Sequence, residues 1–281
     1  MGAILLALGA AVSWGVSDFM GGYFTRRLAL VPILLISQAV GFGMLLLLAG
    51  LRGPPVLDGL AIGLAMAASA AGLVGVAALY RGMAVGMVSI VAPISATGAA
   101  LPVLYGVLRG ERATPLQAVG IGLALVGIVL AARSTDDKHA VLGPTVVRGV
   151  GLAILAAVGF GVFFIFLREA STADVLWVGA IQRLTGVGIM TVLAVALRTS
   201  VSIGWQRMPG LVVVGGLDTS ANVLYAFAST SGLVSVAAVL ASLFPVVTVL
   251  LARVVLHERL SRAQAAGVVC ALSGVALIAA S

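Results

Sequence analysis

Charge is what this sequence has least of. Only 9% of its 281 residues are Asp, Glu, Lys or Arg, against 62% hydrophobic, whereas a soluble domain carries about 25% charged residues. That is too little polar surface to coat a particle in water. The mean hydropathy of +1.23 agrees, and the solvent around the chain is expected to be lipid. Cysteine is almost missing: Cys270 stands alone inside an apolar run, which excludes an intramolecular disulfide and a cysteine metal cluster. The two histidines, His139 and His257, lie in or near loops at no metal-ligand spacing. There is no P-loop, nucleophile elbow, zinc spacing or Ser-His-Asp set, so no enzyme, cofactor, metal site or ATP-driven machine is expected.

The balance of charge is basic, +7 from 16 basic and 9 acidic residues. No Lys/Arg-rich run and no aromatic-interleaved basic patch accompanies it, so nucleic acid is not an expected partner. Most basic residues fall between apolar runs, where they meet lipid headgroups and set topology. The first run has no basic segment before it and continues past Trp14 and Asp18 to Arg26. A retained helix is expected there, not a cleaved signal.

What the sequence has is apolar length. Runs of about 20 residues, enough to cross the hydrocarbon core, recur at 3–24, 31–51, 57–79, 84–108, 115–133, 147–168, 174–197, 208–229, 234–256 and 262–280. They do not alternate as barrel strands do, so all-α integral membrane architecture with ten transmembrane helices is expected. The breaks carry helix signals. Asp58 and Asp174 are placed as N-caps, and Thr114-Pro115-Leu116-Gln117 reads as a capping box with proline at the first helical position. The polar stretch near 135–146 is the expected linker between regions 1–134 and 147–281.

Those two regions repeat each other. Glu111-Arg112, Thr114, Gln117, Gly120, Ala124 and Gly127 recur as Glu258-Arg259, Ser261, Gln264, Gly267, Ala271 and Gly274, all at one offset of 147. Trp14-Gly15-Val16 matches Phe160-Gly161-Val162, and Tyr80 matches Tyr225, at offsets of 145–146. With five spans in each half, the second half enters the membrane upside down. Inverted repeats of this kind mark transporters, with the solute held near the midplane between halves.

These residues resemble the drug/metabolite transporter superfamily, in its ten-helix EamA-type branch. The likeness rests on Trp14-Gly15, the Gly-Glu-Arg hairpin at 110–112 with Thr114, Gln117, Gly120 and Gly127, and Leu233-Val234-Ser235, Phe244-Pro245 and His257-Glu258-Arg259 with Gln264, Gly267 and Gly274. It implies two EamA-like five-helix repeats and export of an amino acid, another metabolite or a drug across the inner or plasma membrane. It also implies both termini inside, whereas counting basic residues in the loops favours both outside.

Charges inside spans are costly and are the first candidates for function. Trp14, Ser17 and Asp18 share one helical face; this acid is placed to bind a cationic solute group or exchange protons, or else to pair with an arginine. Arg183 lies deep in the seventh span. It suits a substrate carboxylate or neutralisation of Asp18 or Asp218. Its repeat counterpart is Gln38. Asp218, Asn222 and Tyr225 form a polar stripe in the eighth span, while their first-half equivalents Leu73 and Ala77 are apolar. Tyr80 completes the candidate set. The hydroxyls and prolines at Ser89, Pro93, Ser95, Thr97, Ser235, Ser242 and Pro245 are expected chiefly to pack or kink their helices, and Glu111 and Glu258 to cap or pin their turns. The whole reads as a secondary active exporter of a small molecule, proton-coupled through Asp18 or Asp218. A passive facilitator and a non-transporting scaffold are the alternatives.

Overall fold

The computed structural model describes residues 1–25, 28–55, 57–85, 91, 94–131, 144–201, 203–255 and 261–280. His139, His257, Glu258, Ser89, Pro93 and most of the expected linker fall outside them. Among the described residues the structure is helical. The first half contributes α1 (Gly2–Thr25), α2 (Leu30–Arg52), α3 (Gly59–Val85), α4 (Ala100–Leu108) and α5 (Pro115–Ala131). The second contributes α6 (Pro144–Ser171), α7 (Val175–Ala196), α8 (Met208–Ser231), α9 (Val234–Ala241), α10 (Phe244–Val255) and α11 (Arg262–Ala279). Among the described residues, seven helices are long and apolar enough to cross a membrane, and Ile94–Leu108, Pro115–Ala131 and Val234–Thr248 are shorter apolar segments.

The helices start where the sequence puts caps. Asp58 Oδ1 accepts from Ala61 N at 2.7 Å, and Asp174 Oδ1 accepts from Leu176 N at 2.9 Å and Trp177 N at 3.0 Å. Both capping boxes close: Thr114 and Gln117 bond reciprocally at 3.0 and 3.1 Å, as do Ser261 and Gln264 at 2.9 and 3.1 Å. These bonds satisfy N–H groups that lipid leaves without a partner.

Two of the expected spans are not single helices. Within the described part of the segment expected at 84–108, helix gives way to a 3₁₀ turn at Thr97–Ala99 that leads into α4. The segment expected at 234–256 breaks into α9 and α10. Pro245 causes the second break, because its ring clashes with the carbonyl four residues back, that of Ala241, and it has no N–H to offer. The chain tightens there, with Leu243 N donating to Leu240 O at 3.2 Å, and α10 restarts at Phe244.

Helix packing is symmetric under exchange of the halves. α3 packs on α6 as α8 packs on α1, and α2 packs on α8 as α7 packs on α3. The exchange maps α2·α7 and α5·α11 onto themselves, and α1·α10 onto α6·α4. Lipid supplies no hydrophobic drive between such helices, so close backbone approach must hold them together. The repeated small-residue faces provide it by packing on each other. A Cβ on Gly127 would lie 2.4 Å from Ala271 N, one on Gly267 2.4 Å from Ala131 N, and one on Gly274 2.6 Å from Gly120 O.

Candidate functional site

α1 carries Trp14, Ser17 and Asp18 on the side that meets α8 and α10. Ser17 is spent on packing, since its hydroxyl donates to Val214 O of α8 at 3.0 Å. The Trp14 indole is buried and donates through Nε1 to Asp218 Oδ1 at 3.1 Å. Its ring sits in an aromatic nest, with centroids 5.6 Å from Phe164, 6.2 Å from Tyr225, 6.3 Å from Phe163 and 6.4 Å from Phe244.

Asp218 is shared. Its second oxygen takes Arg183 Nη1 of α7 at 2.5 Å, with the arginine side chain 1% and the aspartate 30% accessible. The same Nη1 donates to Gln38 Oε1 of α2 at 3.2 Å. Arg183 therefore has its charge answered by Asp218 alone among the described residues. Its Nε and Nη2, and the neighbouring Thr219 Oγ1, are buried without a protein partner and stand as donors for water or solute. Room for this cluster depends on Gly41, where a Cβ would sit 2.1 Å from Thr219 Oγ1 and 3.0 Å from Arg183 Cδ.

Gln38 and Arg183 are repeat counterparts, 145 positions apart, and they touch each other. Gly41 and Gly186 are counterparts at the same offset. Gly41 abuts Arg183, and Gly186 abuts Gln38 Oε1 with 2.7 Å left for a Cβ. Counterpart residues of the two halves thus meet where α2 packs on α7.

Asp18 stands apart from these bonds. Its side chain is exposed, and it has no hydrogen-bond or ion-pair partner among the described residues. It lies within electrostatic reach of Asp218 and of the half-buried Tyr80. The remaining candidates serve the wall behind the site. Tyr225 is fully buried and its hydroxyl donates to Phe164 O at 3.0 Å, while Asn222 Nδ2 donates to Gln182 Oε1 at 3.3 Å. Gln182, Phe163 and Phe164 were not singled out by the sequence, and Phe244 was named there only as part of the Phe244-Pro245 motif. A signal existed for Gln182: Ser37-Gln38, Gly41 and Gly43 recur as Gln182-Arg183, Gly186 and Gly188.

Glu111 pins more than its own turn. Its carboxylate crosses to the other half and receives Val234 N, Ser235 N and Ser235 Oγ at the start of α9.

Two separate stretches, residues 1–133 and 147–280, each match the model of the EamA-like transporter family. The chain belongs to that family. No curated protein sequence matches it. Among solved structures, one described only as "Crystal structure of protein" aligns with a TM-score of 0.77 at 18% identity, covering 98% of this chain and 95% of that one. This likeness speaks for the fold alone. The EamA family supplies the coarse activity, membrane transport by a multi-pass protein.

Proposed function

We propose that this EamA-like protein is a secondary exporter of a small metabolite or drug. It works by alternating access between two inverted five-helix halves, regions 1–134 and 147–281, in the cell's inner or plasma membrane with both termini inside. The observation that carries this reading is the meeting of Gln38 and Arg183, with Asp218 and Trp14, deep between the halves. A scaffold gains nothing from a charged, partly unsatisfied cluster placed between its halves, whereas a transporter needs its solute there.

Charge suggests the solute. Asp218 answers the Arg183 guanidinium, while Asp18, within electrostatic reach of Asp218, has no cationic partner among the described residues. The unpaired carboxylate of Asp18 then favours a cationic solute group, exchanged against protons, with the Trp14 ring as its apolar platform. The test is uptake into proteoliposomes across an imposed pH gradient, screening amines, nucleosides, amino acids and cationic drugs. Asp18→Asn is expected to abolish pH-driven uptake while Ser261→Ala, remote from the site, leaves it. Unchanged pH dependence in Asp18→Asn would remove proton exchange at that residue, and downhill flux alone in both proteins would make the chain a facilitator.

A further inference from the structure

The Glu111 carboxylate joins parts of the molecule that the sequence separates by 123 and 124 positions. Its placement begins in the local turn. α4 ends in a Schellman motif: Glu111 N donates to Gly106 O at 2.9 Å and Gly110 N to Val107 O at 3.0 Å. Gly110 takes the left-handed position at φ +85°. That turn aims the side chain of Glu111 back across α4 toward α9. There Oε2 accepts Ser235 Oγ at 2.7 Å and Ser235 N at 3.1 Å, and Oε1 accepts Val234 N. A carboxylate at a helix N-terminus meets both the free N–H groups and the positive end of the helix dipole. The helix it caps begins in another half of the protein, and Leu233, at the N-cap position itself, offers no side-chain oxygen. Gly106 is required for the approach, since a Cβ there would lie 2.2 Å from Glu111 Oε2.

This contact closes one end of the bundle. The hairpins at 53–58, 109–114, 172–174 and 232–233 gather there with the N-terminus. Trp177 Nε1 donates to Gly53 O at 2.9 Å, Gly232 lies against Ala3, and Arg109 Nη2 stands 3.8 Å from Glu169. Of these ties, Glu111 is the one that caps the start of a short helix whose far end reaches the site. α9 is buried along its whole length. It ends at the break before Pro245, and the next residue in helix, Phe244, is part of the nest around Trp14. A short rigid helix held at its start and hinged at its end moves as one piece.

We propose that Glu111 is a positioning residue: its cap on α9 latches the end of the bundle that carries the N-terminus, and release of that cap opens that end toward Trp14. The inference rests on the transport reading for its purpose, but its test needs no solute. In a Cys270→Ser background, Ala238→Cys reports on α9 and Ala271→Cys on the α5·α11 seam; the parent alanines are 0% and 1% accessible. The probe is a membrane-impermeant maleimide applied to the full chain in nanodiscs. Glu111→Gln is expected to speed labelling at position 238 by about tenfold, the factor that follows loss of a charge-assisted cap, with position 271 unchanged. Gly106→Ala, which keeps the carboxylate but blocks its approach, is expected to do the same and serves if Glu111→Gln does not fold. Continued protection of position 238 in both variants would overturn the latch. Equal acceleration at both positions would also overturn it, because Glu111 would then support overall stability only. A failed transport screen leaves these rates untouched, so the two ideas fail separately.

Discussion

At the scale of the residue, the site is governed by one buried charge and the groups that answer it. Arg183 is 1% accessible and depends on Asp218, which is 30% accessible. Removing the anion leaves a guanidinium that cannot deprotonate in a poorly solvated place. Asp218→Ala is expected to cost about 2–4 kcal/mol, below the figure for a fully enclosed pair because Asp218 is partly wet. Arg183→Leu added to it should recover at least half of that loss, as read from thermal unfolding in detergent. Trp14→Phe keeps the ring nest and drops the bond to Asp218, so it should cost about 0.5–1.5 kcal/mol in the same assay. Gln38, Arg183 and Asp218 were legible in the sequence, because a polar group within a lipid span advertises itself. The aromatic members were not: Phe163, Phe164 and Phe244 look like any lipid-facing residue until their neighbours are known. Nor does a sequence say which way a hydroxyl turns, and Ser17 and Tyr225 turn to backbone carbonyls.

At the scale of the element, caps and small-residue faces followed the sequence closely, since each is set within a turn or two of chain. The capping boxes at Thr114 and Ser261 are of this kind. Helix continuity was less legible. Hydropathy sums side chains and is blind to the missing N–H of Pro245, so it draws one span through α9 and α10. The α5·α11 seam makes a sharp prediction. Gly127→Leu drives a side chain into the backbone of Ala271, and overpacking of about 1–3 kcal/mol sets the floor for the loss. Melting in detergent should fall accordingly, while Gly122→Leu, whose Cβ meets nothing within 4 Å, should leave it unchanged.

At the scale of the whole molecule, the principal packings run between halves: α3 on α6, α1 on α8, α2 on α7 and α5 on α11. Neither half encloses a core of its own. Residues 1–138 expressed alone are therefore expected to be degraded or to aggregate, and co-expression with residues 139–281 to restore a species that co-purifies. Independent folding of one half would contradict the interleaving. The repeat in the sequence announced two halves, but not that Gln38 and Arg183 would be neighbours, because which counterparts touch is a property of the assembled bundle. Their contact makes the halves non-interchangeable. Two copies of the second half packed as these halves are would set Arg183 against its own image, each with its own Asp218, and would take away the uncharged acceptor that Gln38 offers. Two copies of the first half would hold neither the arginine nor its acid, because Gln38 and Leu73 stand at the equivalent positions. Neither half can stand in for the other.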